Sequence, residues 1–172
     1  RTSLFYAAGN GQMAAVQLLV ERGANARGMD EYYCTLLHHA AASGSKEVVE
    51  FLLQNGAKIG SIDERGDTPL HNAADYGKDE TVQILLQNGA DIESRNEGGK
   101  TPLHYANRWW GVNVLKTVQI LVENGADIQA MDRSYSTPLH YAARSGSKEV
   151  VEFLLQNGAK IGSIDERGDA PL

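Results

Sequence analysis

Six leucines, Leu4, Leu37, Leu70, Leu103, Leu139 and Leu172, follow one another at steps of 33 residues, with a single step of 36. A second mark keeps the same beat: Gly-Ala pairs at Gly23-Ala24, Gly56-Ala57, Gly89-Ala90, Gly125-Ala126 and Gly158-Ala159. Two landmarks in step make coincidence implausible. A length of 172 residues and a hydrophobic share of 42% would otherwise suggest one compact core. A unit of this size cannot enclose its own apolar face, so each must stack on its neighbours and the core becomes a continuous strip. The spacing predicts one elongated domain over residues 1–172, with units at 1–28, 29–61, 62–94, 95–130 and 131–163 and the start of a further unit at 164–172.

Residues 68–90 show the logic of a unit. Thr68 suits a helix N-cap and Pro69 the first helical position, and Leu70, Ala73 and Ala74 recur at helical spacing. Gly77 ends that first helix, and Val82, Leu85 and Leu86 repeat at i, i+3 and i+4 on a second one. Gly89 stands where a left-handed residue commonly closes a helix. The polar stretch from Asp91 to Lys100, with Gly98-Gly99, reads as a turn or hairpin leading into the next unit.

This order, Thr-Pro-Leu-His, helix, Gly turn, second helix ending in Leu-Leu, then Gly-Ala, resembles the ankyrin repeat family along essentially the whole chain. The resemblance implies an all-α fold: an α-solenoid of stacked helix-turn-helix repeats with β-hairpin or loop fingers. First helices would line a concave face, and second helices would form its convex back. It also implies where a partner would bind, at the fingers and the last turn of each first helix. Carried over, these positions are Glu31 and Tyr32; Glu64, Arg65 and Asp67; Asp75 and Tyr76; Glu97 and Lys100; Arg108 and Trp109; Arg133, Ser134 and Ser136; and Arg144. The set mixes both charge signs with aromatics, which fits a protein or peptide better than a polyanion or a metabolite.

Composition narrows the setting. Sixteen basic against 22 acidic residues, a net charge of −6, provide no basic stripe for a phosphate backbone, so nucleic acid is not expected as a partner. No run of eighteen apolar residues is present to enter a membrane. Cys34 is the lone cysteine and none of the ten asparagines begins an Asn-X-Ser/Thr triplet, which suits a reducing intracellular, cytoplasmic setting. The first unit lacks its leading finger and Ala170-Pro171-Leu172 opens a unit without helices, so a longer parent protein is expected, while the fragment itself is expected to be monomeric.

No catalytic constellation emerges, and neither cofactor nor metal is expected. His38, His71, His104 and His140 occupy the tetrads, where the resemblance implies hydrogen bonds within or between units, and they lack zinc-site spacing. His39 is adjacent to one of them. Gly9-Asn10-Gly11-Gln12-Met13-Ala14 fits a dinucleotide fingerprint only superficially, because it lies between two helices rather than between a strand and a helix.

Departures from the pattern carry the remaining information. The three residues added between Leu103 and Leu139 must precede the second helix, because inside it they would rotate its apolar face by about 300°. The enlarged connection holds both tryptophans, Trp109 and Trp110, beside Arg108. They read either as an exposed anchor or as a private cluster over Val112, Val114 and Leu115; tryptophan emission and quenching separate the two. At the fingers, Tyr33 and Tyr135 replace the glycine found at Gly66, Gly99 and Gly168, which favours a different turn type or a use for the phenols in binding. Ser3, Phe5, Leu36 and Ala170 weaken individual tetrads. Residues 43–67 recur unchanged at 145–169, which would permit a repetitive ligand but is explained more simply by recent copying of a unit.

The expected function is a scaffold or adaptor module that binds a partner protein on its finger and inner-helix surface. The alternative is a regulatory or spacer array within a larger enzyme, channel or ligase.

Overall fold

The computed structural model describes residues 2–106 and 114–171. Ten helices and no strand occur among the described residues: α1 Ser3–Gly9, α2 Met13–Glu21, α3 Leu36–Ser43, α4 Lys46–Gln54, α5 Pro69–Asp75, α6 Asp79–Gln87, α7 Pro102–Tyr105, α8 Val114–Glu123, α9 Pro138–Ser145 and α10 Lys148–Gln156. First helices stack in the order α1, α3, α5, α7, α9, and second helices in the order α2, α4, α6, α8, α10. The result is an all-α solenoid of two helical layers with finger loops between units.

The packing follows from side-chain size. Alanines Ala7, Ala8, Ala40, Ala41, Ala73, Ala74, Ala106 and Ala142 are buried along the first-helix row, so those helices approach closely. The tetrad leucines Leu37, Leu70, Leu103 and Leu139 are fully buried, as are Leu52, Leu85, Leu121 and Leu154 of the second-helix row. Each such side chain stabilises the fold by roughly 1.5–3 kcal/mol relative to exposure.

Helix ends match the local sequence. Thr68 is the N-cap of α5, with its hydroxyl accepting from the His71 amide, and Pro69 takes the first turn. At the end of α6, Gly89 has φ +86°, and the Gly89 and Ala90 amides donate to Leu86 and Leu85 carbonyls, closing the helix with a left-handed residue as expected. The helix α8 runs unbroken through Thr117 to Glu123, consistent with the three added residues lying ahead of it.

The tetrad histidines join one unit to the next. In His38 the Nδ1 accepts the Thr35 amide at 3.1 Å, and Nε2 lies 3.0 Å from the Asp67 carbonyl of the following unit. The same pair of bonds recurs at His71 with Thr68 and Lys100, at His104 with Thr101 and Ser136, and at His140 with Thr137 and Asp169. Because Nδ1 accepts from an amide, the ring is neutral with its proton on Nε2, which donates to the carbonyl. Burial pushes the pKa of His38 and His71 below the ordinary histidine value, and that of His104 down to about 4.

A histidine held neutral by folding but free to protonate when unfolded makes stability rise with pH between its two pKa values. The fold is therefore expected to lose stability as pH falls from about 6.5 towards about 4, with His104 alone contributing on the order of 3 kcal/mol once protonation of the unfolded chain is complete. Urea midpoints measured across this range check it, and a His104→Gln variant should show a shallower slope.

Candidate partner-binding surface

Each finger is built on one acidic or amide side chain. The Oδ1 of Asp63 accepts the amides of Arg65 and Asp67 at 2.8 and 2.9 Å. Asp30, Asn96, Asp132 and Asp165 repeat this double acceptance on the amides two and four residues ahead. Backbone bonds then tie finger to finger: the Glu64 amide donates to Tyr32, Glu97 to Arg65, Arg133 to Gly98 and Glu166 to Ser134, at 2.9–3.0 Å. The sequence reading missed this row of Asx residues, although they keep the same period as the leucines. Apart from an isolated antiparallel bridge between Met29 and Thr35, the described fingers are tight turns rather than hairpins.

The tyrosine fingers use the same turn, which overturns the expectation of a different turn type. Tyr33 and Tyr135 have φ of +58° and +59°, beside +75° at Gly66 and +73° at Gly99, and their amides make the same bond to the Asx carbonyl three residues back. A left-handed non-glycine residue costs about 1–2 kcal/mol. Both phenols stand out in solvent, at 62% and 59% exposure.

Most positions implied by the family resemblance reach the surface. Glu31, Tyr32, Glu64, Arg65, Tyr76, Glu97, Arg133 and Arg144 are exposed, while Asp75, Lys100 and Ser134 are half-buried. Two are corrected: Asp67 and Ser136 are buried. The Asp67 carboxylate accepts from Asn96 Nδ2 and Tyr105 Oη, both at 2.7 Å, and the Ser136 amide and carbonyl are engaged by Asp132 and His104. Both hold the fingers through these bonds. Arg108, Trp109 and Trp110 lie outside the described residues.

A polar cleft of about 370 Å³ runs between the fingers and first helices of the second to fourth units. It brings together Arg65, Asp67, Asp75 and Tyr76 from the expected set, with Cys34 and His39 beside them. The positions of the fifth unit, Arg133, Tyr135 and Arg144, lie away from this cleft. Two further exposed features were not read from the sequence. Tyr6 on α1 is 61% exposed, and Met29, Ile62, Met131 and Ile164 form an exposed apolar series one residue before each finger Asx. The signal for that series lay in the period, obscured by Arg95 at its middle place. Among the described residues, no helix is long and apolar enough to cross a membrane.

Helix pairs coupled in series, with uniform fingers along one edge, define a linear repeat array. A family model described as ankyrin repeats (3 copies) matches residues 1–63, 56–132 and 112–165. The chain belongs to the ankyrin repeat family. A comparison with curated proteins finds no significant match. Ankyrin repeats are in general protein–protein interaction modules.

The stacked fingers predict unequal glycine tolerance. A Cβ at Gly66 would stand 3.0 Å from the Glu97 amide nitrogen, whereas one at Gly168 would meet nothing within 4 Å. Gly168→Ala is expected to cost about 1–2 kcal/mol from its dihedral alone, and Gly66→Ala clearly more. Paired denaturation curves measure the difference.

Proposed function

We propose that this chain is a binding module for another protein or peptide, engaged on the surface formed by its fingers and first helices, and that it performs no catalysis of its own. The observation that carries this reading is the set of exposed tyrosines on a fixed frame. Tyr32, Tyr33 and Tyr135 stand on fingers whose backbones are locked by an Asx side chain and by the neighbouring finger, and Tyr76 stands at the end of α5. A phenol presents apolar area with a polar tip at low conformational cost, and a preformed surface loses little ordering entropy on binding. The charges beside them are of both signs, Glu31, Glu64, Arg65, Glu97 and Arg133, which suits register-setting contacts along an extended partner. A net charge of −6 disfavours nucleic acid, and a chain with the single cysteine Cys34 suits a reducing intracellular setting.

The test uses peptides enriched on the native chain from a random displayed library. A variant combining Tyr33→Asn, Tyr76→Ala and Tyr135→Asn keeps residues that tolerate the left-handed turn while removing three phenols. Binding of the enriched peptides is expected to weaken by about tenfold or more, the loss of about 1.4 kcal/mol that a single hot spot exceeds. Unchanged affinities in a variant that melts like the native chain would place the binding surface elsewhere.

A further inference from the structure

Three donor atoms of the second unit converge beside the polar cleft, and a carboxylate of the next unit approaches one of them. Asp30, Cys34 and His39 each present one ligand atom, and these atoms lie within 4.8 Å of one another. His39 Nε2 is 2.9 Å from Asp30 Oδ2, and Cys34 Sγ is 3.9 Å from Asp63 Oδ2 of the next finger. The fold places each of them. Asp30 is the finger Asx whose Oδ1 takes the Tyr32 and Cys34 amides, Cys34 closes that turn, and His39 projects from the first turn of α3. Burial raises the Asp30 pKa, but hydrogen bonds from His39 and the two amides outweigh it, so the carboxyl stays below its usual value and ionised.

Comparison with the other units shows that this set is a substitution of chemistry on an unchanged frame. The place of His39 is taken by Tyr105 and Tyr141 in the fourth and fifth units, and Tyr141 Oη donates to Asp132 Oδ2 at 2.7 Å. The ring packing is also kept: His39 meets Phe5 edge-on at 5.4 Å, as Tyr105 meets His71 and Tyr141 meets His104. The place of Cys34 is taken by Asp67, Lys100, Ser136 and Asp169. The chain's single cysteine and its one histidine outside the tetrads thus occur in the same unit, at two places that face one carboxylate.

We propose that Asp30, Cys34 and His39 bind one zinc ion, with Asp63 as fourth ligand. Zinc takes thiolate sulfur at about 2.3 Å and imidazole nitrogen or carboxylate oxygen at about 2.0–2.2 Å, so tetrahedral donors stand about 3.4–3.7 Å apart. The His39–Asp30 and Cys34–Asp63 separations of 2.9 and 3.9 Å bracket that spacing, and rotation of the Asp63 side chain towards Asp30 and His39 would complete the shell. On binding, the Cys34 thiol releases its proton to solvent, and the neutral His39 ring carries its proton on Nδ1 while Nε2 bonds the metal. The hydrogen bond between His39 and Asp30 is exchanged for two bonds to the ion. Histidines of the tetrad row do not compete, because His38, His71 and His104 have both ring nitrogens committed. Spanning Asp30 and Asp63, the ion would clamp the second finger to the third, next to Tyr32 and Tyr33. The inference stands apart from the partner reading, since metal binding is measured with no partner present.

The experiment titrates the full chain, freed of metal by chelator, with zinc by calorimetry and with cobalt(II) by absorption. One ion per chain is expected, with a thiolate-to-cobalt charge-transfer band. Cys34→Ser copies the residue of the fifth unit and His39→Tyr copies Tyr141 with its bond to the Asx carboxylate, so both variants retain the frame. Each should weaken zinc binding by more than about tenfold, and Cys34→Ser should abolish the band. A native chain that gives no charge-transfer band, or zinc affinity unchanged in both variants, overturns the assignment.

Discussion

One imidazole in each of the second to fifth units does two jobs, and the solenoid depends on both being done at once. Its Nδ1 accepts the amide of the threonine that starts its own helix, while its Nε2 proton goes to a carbonyl in the next unit. That carbonyl belongs to Asp67, Lys100, Ser136 or Asp169, the residue immediately before the next tetrad. Each histidine therefore caps one helix and fixes the point from which the following helix departs. Protonation would put a hydrogen on Nδ1, facing the Thr amide, so the first bond would become a clash of two donors. Burial of the ring and its geometry push in the same direction, towards the neutral form. At the first seam the histidine is Phe5, which has no donor; there the contact is the edge-on packing of Phe5 against His39.

What could be read from the sequence was what depends on nearby residues. The 33-residue beat, the Thr68 cap, the Pro69 start and the Gly89 closure are local or periodic, and the structure places each of them where the spacing did. The finger turns were read only as polar loops, because glycines drew attention away from the Asx residue that accepts both amides. The exposure of Asp67 was misjudged for a different reason. It lies in a finger, but its carboxylate is covered by Tyr105 and Asn96, which arrive from the following unit, 38 and 29 residues further on. Of the two readings open for Tyr33 and Tyr135, a different turn type or a use for the phenols, the first is removed, because the Asx acceptor and the bond to the adjacent finger fix the backbone more strongly than one residue's preference against positive φ.

The duplicated segment separates these local and non-local contributions within a single molecule. Asp63 and Asp165 have the same sequence around them and make the same two acceptances on amides, at 2.8–3.0 Å, so the turn belongs to the segment itself. Burial does not travel with it: Asp67 is 4% exposed, whereas its counterpart Asp169 is exposed to solvent. Gly44 would meet the Lys78 side chain with an added Cβ at 2.7 Å, and its counterpart Gly146 would meet nothing. Backbone shape is thus written into each unit, while what a side chain can touch is written into its neighbours. A substitution in a finger leaves the turn intact and changes only the chemistry presented. That is why Tyr33, Tyr135, Cys34 and His39, all of which break the pattern without bending the frame, are the residues from which function is best argued.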